Sequence, residues 1–275
     1  VKGKTIVITG ATSGIGEVAA MRLAEQGARI VMVARDRARG EATLAKLKGT
    51  GHAVHYADLS RLSEMKRVAR ELGEAERSID VLINNAGALF NSRIVTEDGL
   101  EKTFALNHMS YFVMTNLLLD RLKATPGARI VSTASDAHRR AKLDFSDLQA
   151  AKSYSGFPVY SRSKLCNILF TRELARRITG TGVTANSLHP GFVATRFGDE
   201  SGGLVSLGAR VAKKVGAISP EEGAKTIVYL ASSPAVAGAS GGYYYKEKLT
   251  TPTAEAQNDA DAKRLWDISA KIAGF

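Results

Sequence analysis

A chain of 275 residues, 44% hydrophobic and 24% charged, buries a sizeable core with ease and has no low-complexity tract, which excludes a disordered class. A single cysteine, Cys166, excludes an internal disulfide, and without a CxxC or HExxH pattern no metal site is expected. The net charge of +11 favours an acidic partner, yet the basic residues are dispersed and no zinc-finger or RNP pattern occurs, so nucleic acid is not expected and a phosphorylated cofactor is.

The first residues, VKGKTIVITG, lack a signal-peptide pattern, and no run of about 18 uncharged apolar residues follows, so a cytoplasmic protein with no transmembrane segment is expected. TIVIT (5–9) reads as a strand, and TGATSGIG (9–16) leads from it into the helical EVAAMRLAEQG. Gly10, Gly14 and Gly16 allow a tight turn and close backbone approach, while the free N–H groups of a helix start hold a pyrophosphate. An ordinary strand-to-helix turn is the plainer alternative. ARIVMVA (28–34) is the second strand, and the residue that reads the ribose belongs at its end. There Arg35 offers a bidentate partner to a 2′-phosphate, where an acidic group would repel it. NADP(H) is therefore preferred over NAD(H), with Asp36 as a helix N-cap and a solvated surface charge as the other reading of Arg35.

Further strands are HAVHYAD (52–58), DVLINNAG (80–87), RIVSTAS (129–135), VTANSLHP (183–190) and GGYYYK (241–246), separated by helical patterns such as Leu117, Leu118 and Leu122. Near-continuous apolar strands are covered on both faces. The fold class is α/β: a doubly wound, Rossmann-type three-layer α/β/α arrangement around a seven-stranded parallel sheet, with residues 1–275 as one domain because no linker divides them. Cys166, in KLCNILF, is expected to be a small buried hydrophobe.

VYSRSK (159–164) sets Tyr160 four places before Lys164, and YYKEK repeats the spacing with Tyr244 and Lys248. Tyr160 lies in a helical pattern, where residues four apart share a face. Tyr244 lies in a strand-like run, where four residues span about 13 Å. Only the first pair works as a unit. Lowering a phenol's pKa by about three units takes roughly 4 kcal/mol, and a cation about 4 Å away at an effective dielectric near 20 supplies about that much. A buried tyrosine with a surface lysine is the alternative.

Taken together, TGATSGIG, Asp58 in YADLS, NNAG (84–87), Asn107 in FALNHMS, Ser135 closing RIVSTAS, YSRSK (160–164) and HPGFVAT (189–195) resemble the short-chain dehydrogenase/reductase family over essentially the whole chain. YSRSKLCNILFTRELARR and TGVTANSLHPGFVATRF are most similar to its retinol dehydrogenase-like branch. The resemblance implies that Asn107, Ser135, Tyr160 and Lys164 are catalytic, with Ser135 orienting the substrate oxygen and Asn107 holding a water that links Lys164 to solvent. It gives the cofactor Gly10, Thr12, Ser13, Gly14, Ile15 and Gly16, then Asp58 and Leu59 at the adenine, and Asn85, Ala86 and Gly87 on the adenosine side. Pro190, Gly191, Val193 and Thr195 fall to the nicotinamide end, with Tyr160 and Lys164. The plainer roles are a helix cap for Asp58, turn formation for NNAG, a loop for HPG, and a helix-bending amide for Asn107; Ser132 is a weaker substitute for Ser135, and His189 is expected to be structural.

The reaction so implied is hydride transfer between NADP(H) and a small lipophilic ketone or aldehyde, or the matching alcohol, with Tyr160 exchanging the proton. A non-catalytic NADP-sensing protein on the same fold is the alternative. The segment from Ser135 to Tyr160 is long for the family, so an insertion near 136–158 should border the site mouth, and a lid is expected near 198–218. Within the lid, Leu204, Leu207, Val211, Val215 and Ile218 form one apolar stripe with Arg210, Lys213 and Lys214 elsewhere, which also suits an ordinary surface helix or weak contact with an anionic membrane surface. The family assembles through helices as dimers or tetramers; with the insertion, a monomer or homodimer is expected.

Overall fold

Successive side chains of a strand point to opposite faces, so a strand buried on both sides must feed two cores. In β1 (Thr5–Thr9), Ile6 and Ile8 enter one core while Val7 enters the other. In β2 (Arg29–Ala34), Ile30 and Met32 divide in the same way from Val31 and Val33. The computed structural model, which describes residues 1–193 and 218–275, shows helices on both faces of one mixed sheet.

After α1 (Gly14–Glu25) and β2 come α2 (Arg37–Leu44), β3 (Ala53–Tyr56), α3 (Leu62–Ala75), β4 (Val81–Asn84) and the single turn α4 (Lys102–Phe104). A π-helical stretch, Ala105–Met109, joins α4 to α5 (Ser110–Lys123), and β5 (Arg129–Thr133) follows. The chain continues through α6 (Gly156–Arg177), β6 (Thr184–Leu188), α7 (Pro220–Ser232), β7 (Tyr243–Tyr245), β8 (Lys248–Leu249) and α8 (Asp259–Ala273). One core holds α1 and α7, through Ala19, Leu23, Ala224 and Ile227. The other holds α3, α5, α6 and α8, through Met65, Phe112, Leu169 and Leu265. Asp36 caps α2 by accepting from Arg39 N at 2.8 Å, as its position implied.

The strand order is β3-β2-β1-β4-β5-β6-β7-β8. Among the described residues eight strands stand in place of the expected seven, and the last is antiparallel. The run that reads as one strand ends early: Lys246 and Glu247 take positive φ, and the chain folds back so that Tyr245 pairs with Lys248 and Tyr244 with Leu249. Tyr244 and Lys248 therefore sit on two strands of a hairpin rather than along one extended run. Alternation puts them on opposite faces, so this pair still makes no unit. The strand order reverses between β1 and β4, and the carboxyl ends of those strands border the crevice where ligands of open α/β sheets bind.

The segment after β5 begins with a 3₁₀ turn, Asp136–Arg140, and returns to α6 without further regular structure. Leu143, Phe145 and Leu148 pack on the core. Gln149 Oε1 accepts from Glu101 N at 2.7 Å, and the Tyr154 hydroxyl donates to Phe90 O at 2.9 Å, fastening the segment to the loop after β4. Of the expected lid only Ile218, from its second half, lies within the described residues; Thr195 lies outside them. Among the described residues no helix is long and apolar enough to cross a membrane.

Candidate active site

The glycine loop is shaped by what surrounds it. Gly10, at φ +68°, lies so close to the NNAG segment that a Cβ there would meet Ala86 Cα at 2.7 Å. A Cβ on Gly16 would meet Gly10 O at 2.3 Å and Asn85 Nδ2 at 2.4 Å. Ser13, the N-cap of α1, makes no side-chain capping bond, so its side chain takes up none of the first N–H groups of the helix, which follow a backbone turn no larger residue could form. Such a turn with donors at a helix start fits a pyrophosphate.

Asn85 braces the loop from β4. Its Nδ2 donates to Thr9 O at 3.2 Å and to Gly10 O at 3.0 Å, and its Oδ1 accepts from the Thr133 hydroxyl at 3.3 Å. The backbone N–H groups of Asn85 and Ala86 both donate to Thr9 Oγ1 at 3.0 Å. Two NNAG backbone donors are thus spent inside the protein. Thr9 was not singled out from sequence, because its role depends on a strand brought beside it by folding.

At the end of β3, Asp58 accepts from Ser60 N at 3.0 Å and Ser60 Oγ at 2.8 Å, so it closes a local turn and does not cap α3. Burial alone would raise its carboxyl, but the Ser60 donors, with Arg35 and Lys102 nearby, hold it below the usual range. Arg35 is exposed at the end of β2 and close enough to Asp58 to act on its charge. Leu59 is buried beside it.

At the opposite side, Gly191 N donates to His189 Nδ1 at 3.1 Å, and Ile218 N donates to Phe192 O at 2.8 Å. His189 stacks on Tyr245 with ring centroids 4.0 Å apart, and burial takes its imidazole down to about 4, so it is neutral at pH 7. Val193 and Ile15 approach the same point of α7, since a Cβ on Gly223 would meet Val193 Cγ2 at 2.7 Å and Ile15 Cγ2 at 2.8 Å. The glycine loop and the chain after HPG therefore meet on α7. Pro190 lies between these residues, half-buried.

Tyr160 sits in the second turn of α6, since the helix begins at Gly156 and not at the tyrosine. Its hydroxyl is hydrogen-bonded to Ser135, which also caps the 3₁₀ turn by accepting from Ala137 N at 3.2 Å. His138 is buried, donates from Nδ1 to Ser135 O at 2.7 Å and accepts at Nε2 from Thr253 N at 3.4 Å, pinning the serine's backbone to the C-terminal segment. Ser132 is fully buried within β5, so Ser135 is the serine brought to Tyr160.

Lys164 Nζ lies 5.6 Å from the centre of the Tyr160 ring and donates to Thr133 O at 3.0 Å. The electrostatic balance differs from the sequence expectation. Burial pushes the Tyr160 phenol up to about 12, which the Ser135 bond only partly offsets, and burial pushes the Lys164 amine down to about 7. Both groups lose water when α6 packs on the sheet, and for the phenol that cost exceeds what the Ser135 bond returns. The net effect of burial and the Ser135 bond is therefore to hold the phenol above its ordinary value.

Asn107 lies in the π-helical stretch, buried: its Oδ1 accepts from Ala88 N, and its Nδ2 donates to Ala88 O and to Ser163 Oγ, all at 2.9 Å. Ser163 passes its own hydroxyl to Tyr160 O at 2.7 Å. A Cβ on Gly87 would lie 3.2 Å from Asn107 Oδ1 and 3.3 Å from Lys164 Nζ, so these three meet at one place. Both Nδ2 hydrogens of Asn107 are thus used within the protein, while Oδ1 keeps a second lone pair. Cys166, one turn further on, is buried with its thiol pushed up to about 12, and is inert packing.

Residues 4–203 match the short chain dehydrogenase family. The chain is 41% identical over 296 residues to human retinol dehydrogenase 14, covering 99% of this chain and 87% of that one. It is 38% identical over 286 residues to human retinol dehydrogenase 13, covering 100% and 86%. Among solved structures, a putative uncharacterized protein from Mycobacterium paratuberculosis superposes with a TM-score of 0.81 at 31% identity, covering 99% of this chain and 94% of that one.

Proposed function

Since this chain belongs to the short-chain dehydrogenase family of oxidoreductases, we propose that it interconverts a small lipophilic ketone or aldehyde with the matching alcohol, using NADP(H). The observation that carries the reading is the Ser135–Tyr160 hydrogen bond with Lys164 beside it, three polar groups gathered at the carboxyl end of β5.

Gly10, Thr12, Ser13, Gly14, Ile15 and Gly16 would hold the pyrophosphate, Arg35 the 2′-phosphate, Asp58 and Leu59 the adenine, and Pro190, Gly191 and Val193 the nicotinamide end. A bound nicotinamide supplies or accepts the hydride. Tyr160 gives its proton to the substrate oxygen during reduction and removes it during oxidation. Ser135 Oγ keeps that oxygen within reach of the phenol, and its hydroxyl stabilises negative charge as it develops. Burial holds the phenol up at about 12, and a protonated Lys164 amine beside it would act in the opposite direction by favouring the phenolate, so the working state would carry the charge on Lys164. Asn107 acts by holding the loop after β4 to α6 through Ala88 and Ser163.

The lipophilic character of the substrate is supported by the names of the human relatives, and by the exposed ring of Phe157, whose centroid lies 6.5 Å from that of Tyr160. The non-catalytic sensor is not favoured, because a sensor has no use for a buried lysine beside a buried tyrosine. The test is the rate of NADPH and NADH oxidation with a panel of apolar aldehydes and ketones. Turnover that prefers NADPH is expected; tight NADPH binding with no turnover on any substrate would overturn the reading.

A further inference from the structure

The backbone carbonyl of Thr133, the last residue of β5, is claimed by three side chains at once. Lys164 Nζ approaches at 3.0 Å, Asn167 Nδ2 at 3.2 Å, and the Tyr111 hydroxyl at 3.3 Å. A carbonyl oxygen has two lone pairs, so three donors cannot all be well served. Asn167 and Tyr111 are 0% exposed and Lys164 is 3% exposed, so bulk water does not make up the shortfall.

We propose that Tyr111 and Asn167 are positioning residues that compete with Lys164 for the Thr133 carbonyl, and so set how firmly the lysine amine holds its proton. This inference rests on the reading of Lys164 as the partner of Tyr160. Each neutral donor on that oxygen takes electron density that would otherwise stabilise an ammonium, and each therefore favours release of the proton.

Packing alone explains neither side chain. Asn167 Oδ1 is buried without a hydrogen-bond partner, so a leucine of similar size would suit the site better if filling space were the whole task. Tyr111 is enclosed in the core formed by α3, α5, α6 and α8, where a phenylalanine would fill the same room; only its hydroxyl reaches the carbonyl. The ring face of Tyr111 also lies 5.8 Å from the Lys164 amine, an attraction that a phenylalanine preserves. The titratable groups facing the amine are Tyr160 on its own helix and Tyr111 from α5. Burial lowers its proton affinity, and no carboxylate opposes that. The amine lies close to half-charged near neutral pH, where a small change of acceptor strength is visible.

The experiment is a titration of Lys164 in the whole protein by its ε-carbon NMR shift with ¹³C-lysine labelling, assigned by the signal lost in Lys164→Met. Tyr111→Phe and Asn167→Leu should each move the midpoint to higher pH by about one unit, roughly the worth of a hydrogen bond to a charged group. An unmoved midpoint in folded Tyr111→Phe, or one displaced to lower pH, would overturn the proposal. Should Asn167→Leu not fold, Tyr111→Phe decides alone. Because the readout needs neither substrate nor turnover, it stands apart from the reductase assay: a protein with no reductase activity would overturn the functional reading and leave this measurement to give its own answer.

Discussion

Asn85 Nδ2 donates to the Gly10 carbonyl at 3.0 Å, and a Cβ on Gly16 would strike both partners of that bond. The brace between β4 and the glycine loop and the first turn of α1 therefore occupy one small volume. Gly16→Ala is expected to weaken NADPH binding at least about tenfold and to lower Tm by several degrees, since close-packed interiors do not yield a methyl group's space freely. Cofactor fluorescence titration and thermal unfolding of the same sample check it, and unchanged affinity would show that the loop can open without loss.

Tyr160→Phe removes one oxygen from a group that Ser135 orients and leaves the ring in its packing. Turnover should fall by about 10²–10⁴, while NADPH affinity stays within about threefold because the phenol's role is in proton exchange. Single-turnover kinetics beside equilibrium binding separate the two. A variant that turns over normally would remove Tyr160 from the chemistry.

Arg35→Ala tests the cofactor preference. A charge-assisted bond to a phosphate is worth about 1.5–3 kcal/mol, so KM for NADPH should rise at least about tenfold while KM for NADH changes little. Equal loss with both cofactors would place Arg35 elsewhere than at the 2′-phosphate.

His108 follows Asn107 in the π-helical stretch, fully buried among Phe104, Phe112 and Phe170, with Nε2 2.8 Å from Ser269 Oγ. Burial takes its imidazole down to about 3 from about 6.5. The unfolded chain therefore binds a proton that the folded one refuses, so the stability present above pH 6.5 is lost as the pH falls from there toward 3. One such group costs about 1.4 kcal/mol per pH unit in that window. Urea unfolding between pH 7 and 4 should show a slope at least this steep, and His108→Gln should reduce it by about one proton, although His189 still contributes. A flat profile in the parent protein would contradict the neutral, buried state of His108.

Strand runs and the residues just beyond them were legible in the sequence because β-branched runs, glycines and the order of elements are local signals. The positions of Gly10, Asp58, Ser135, Tyr160 and Lys164 at or near strand ends and on one helix followed from those signals. The turn to β8 was not, since Lys246 and Glu247 take positive φ without the glycine or asparagine that announces such a turn. Nor was the state of the phenol. A cation four residues away is visible in the sequence, whereas the loss of water that raises Tyr160 exists only once α6 is packed. The Thr133 carbonyl was beyond reach for a third reason: every residue carries that atom, and its importance comes from three side chains meeting there.

The π-helical stretch Ala105–Met109 has a consequence for the chain's history. A π turn holds one residue more than an α turn, and each residue of an α-helix advances it by about 100°. Deleting any one of these five residues would give a more regular helix, yet would swing everything before the deletion around the axis, carrying the Glu101 cap and the loop after β4 with it. Asn107 could then no longer clasp both Ala88 and Ser163. A gain of local order there breaks the clasp, so the irregular turn stands as a counted length, closed to the small insertions and losses that surface loops absorb.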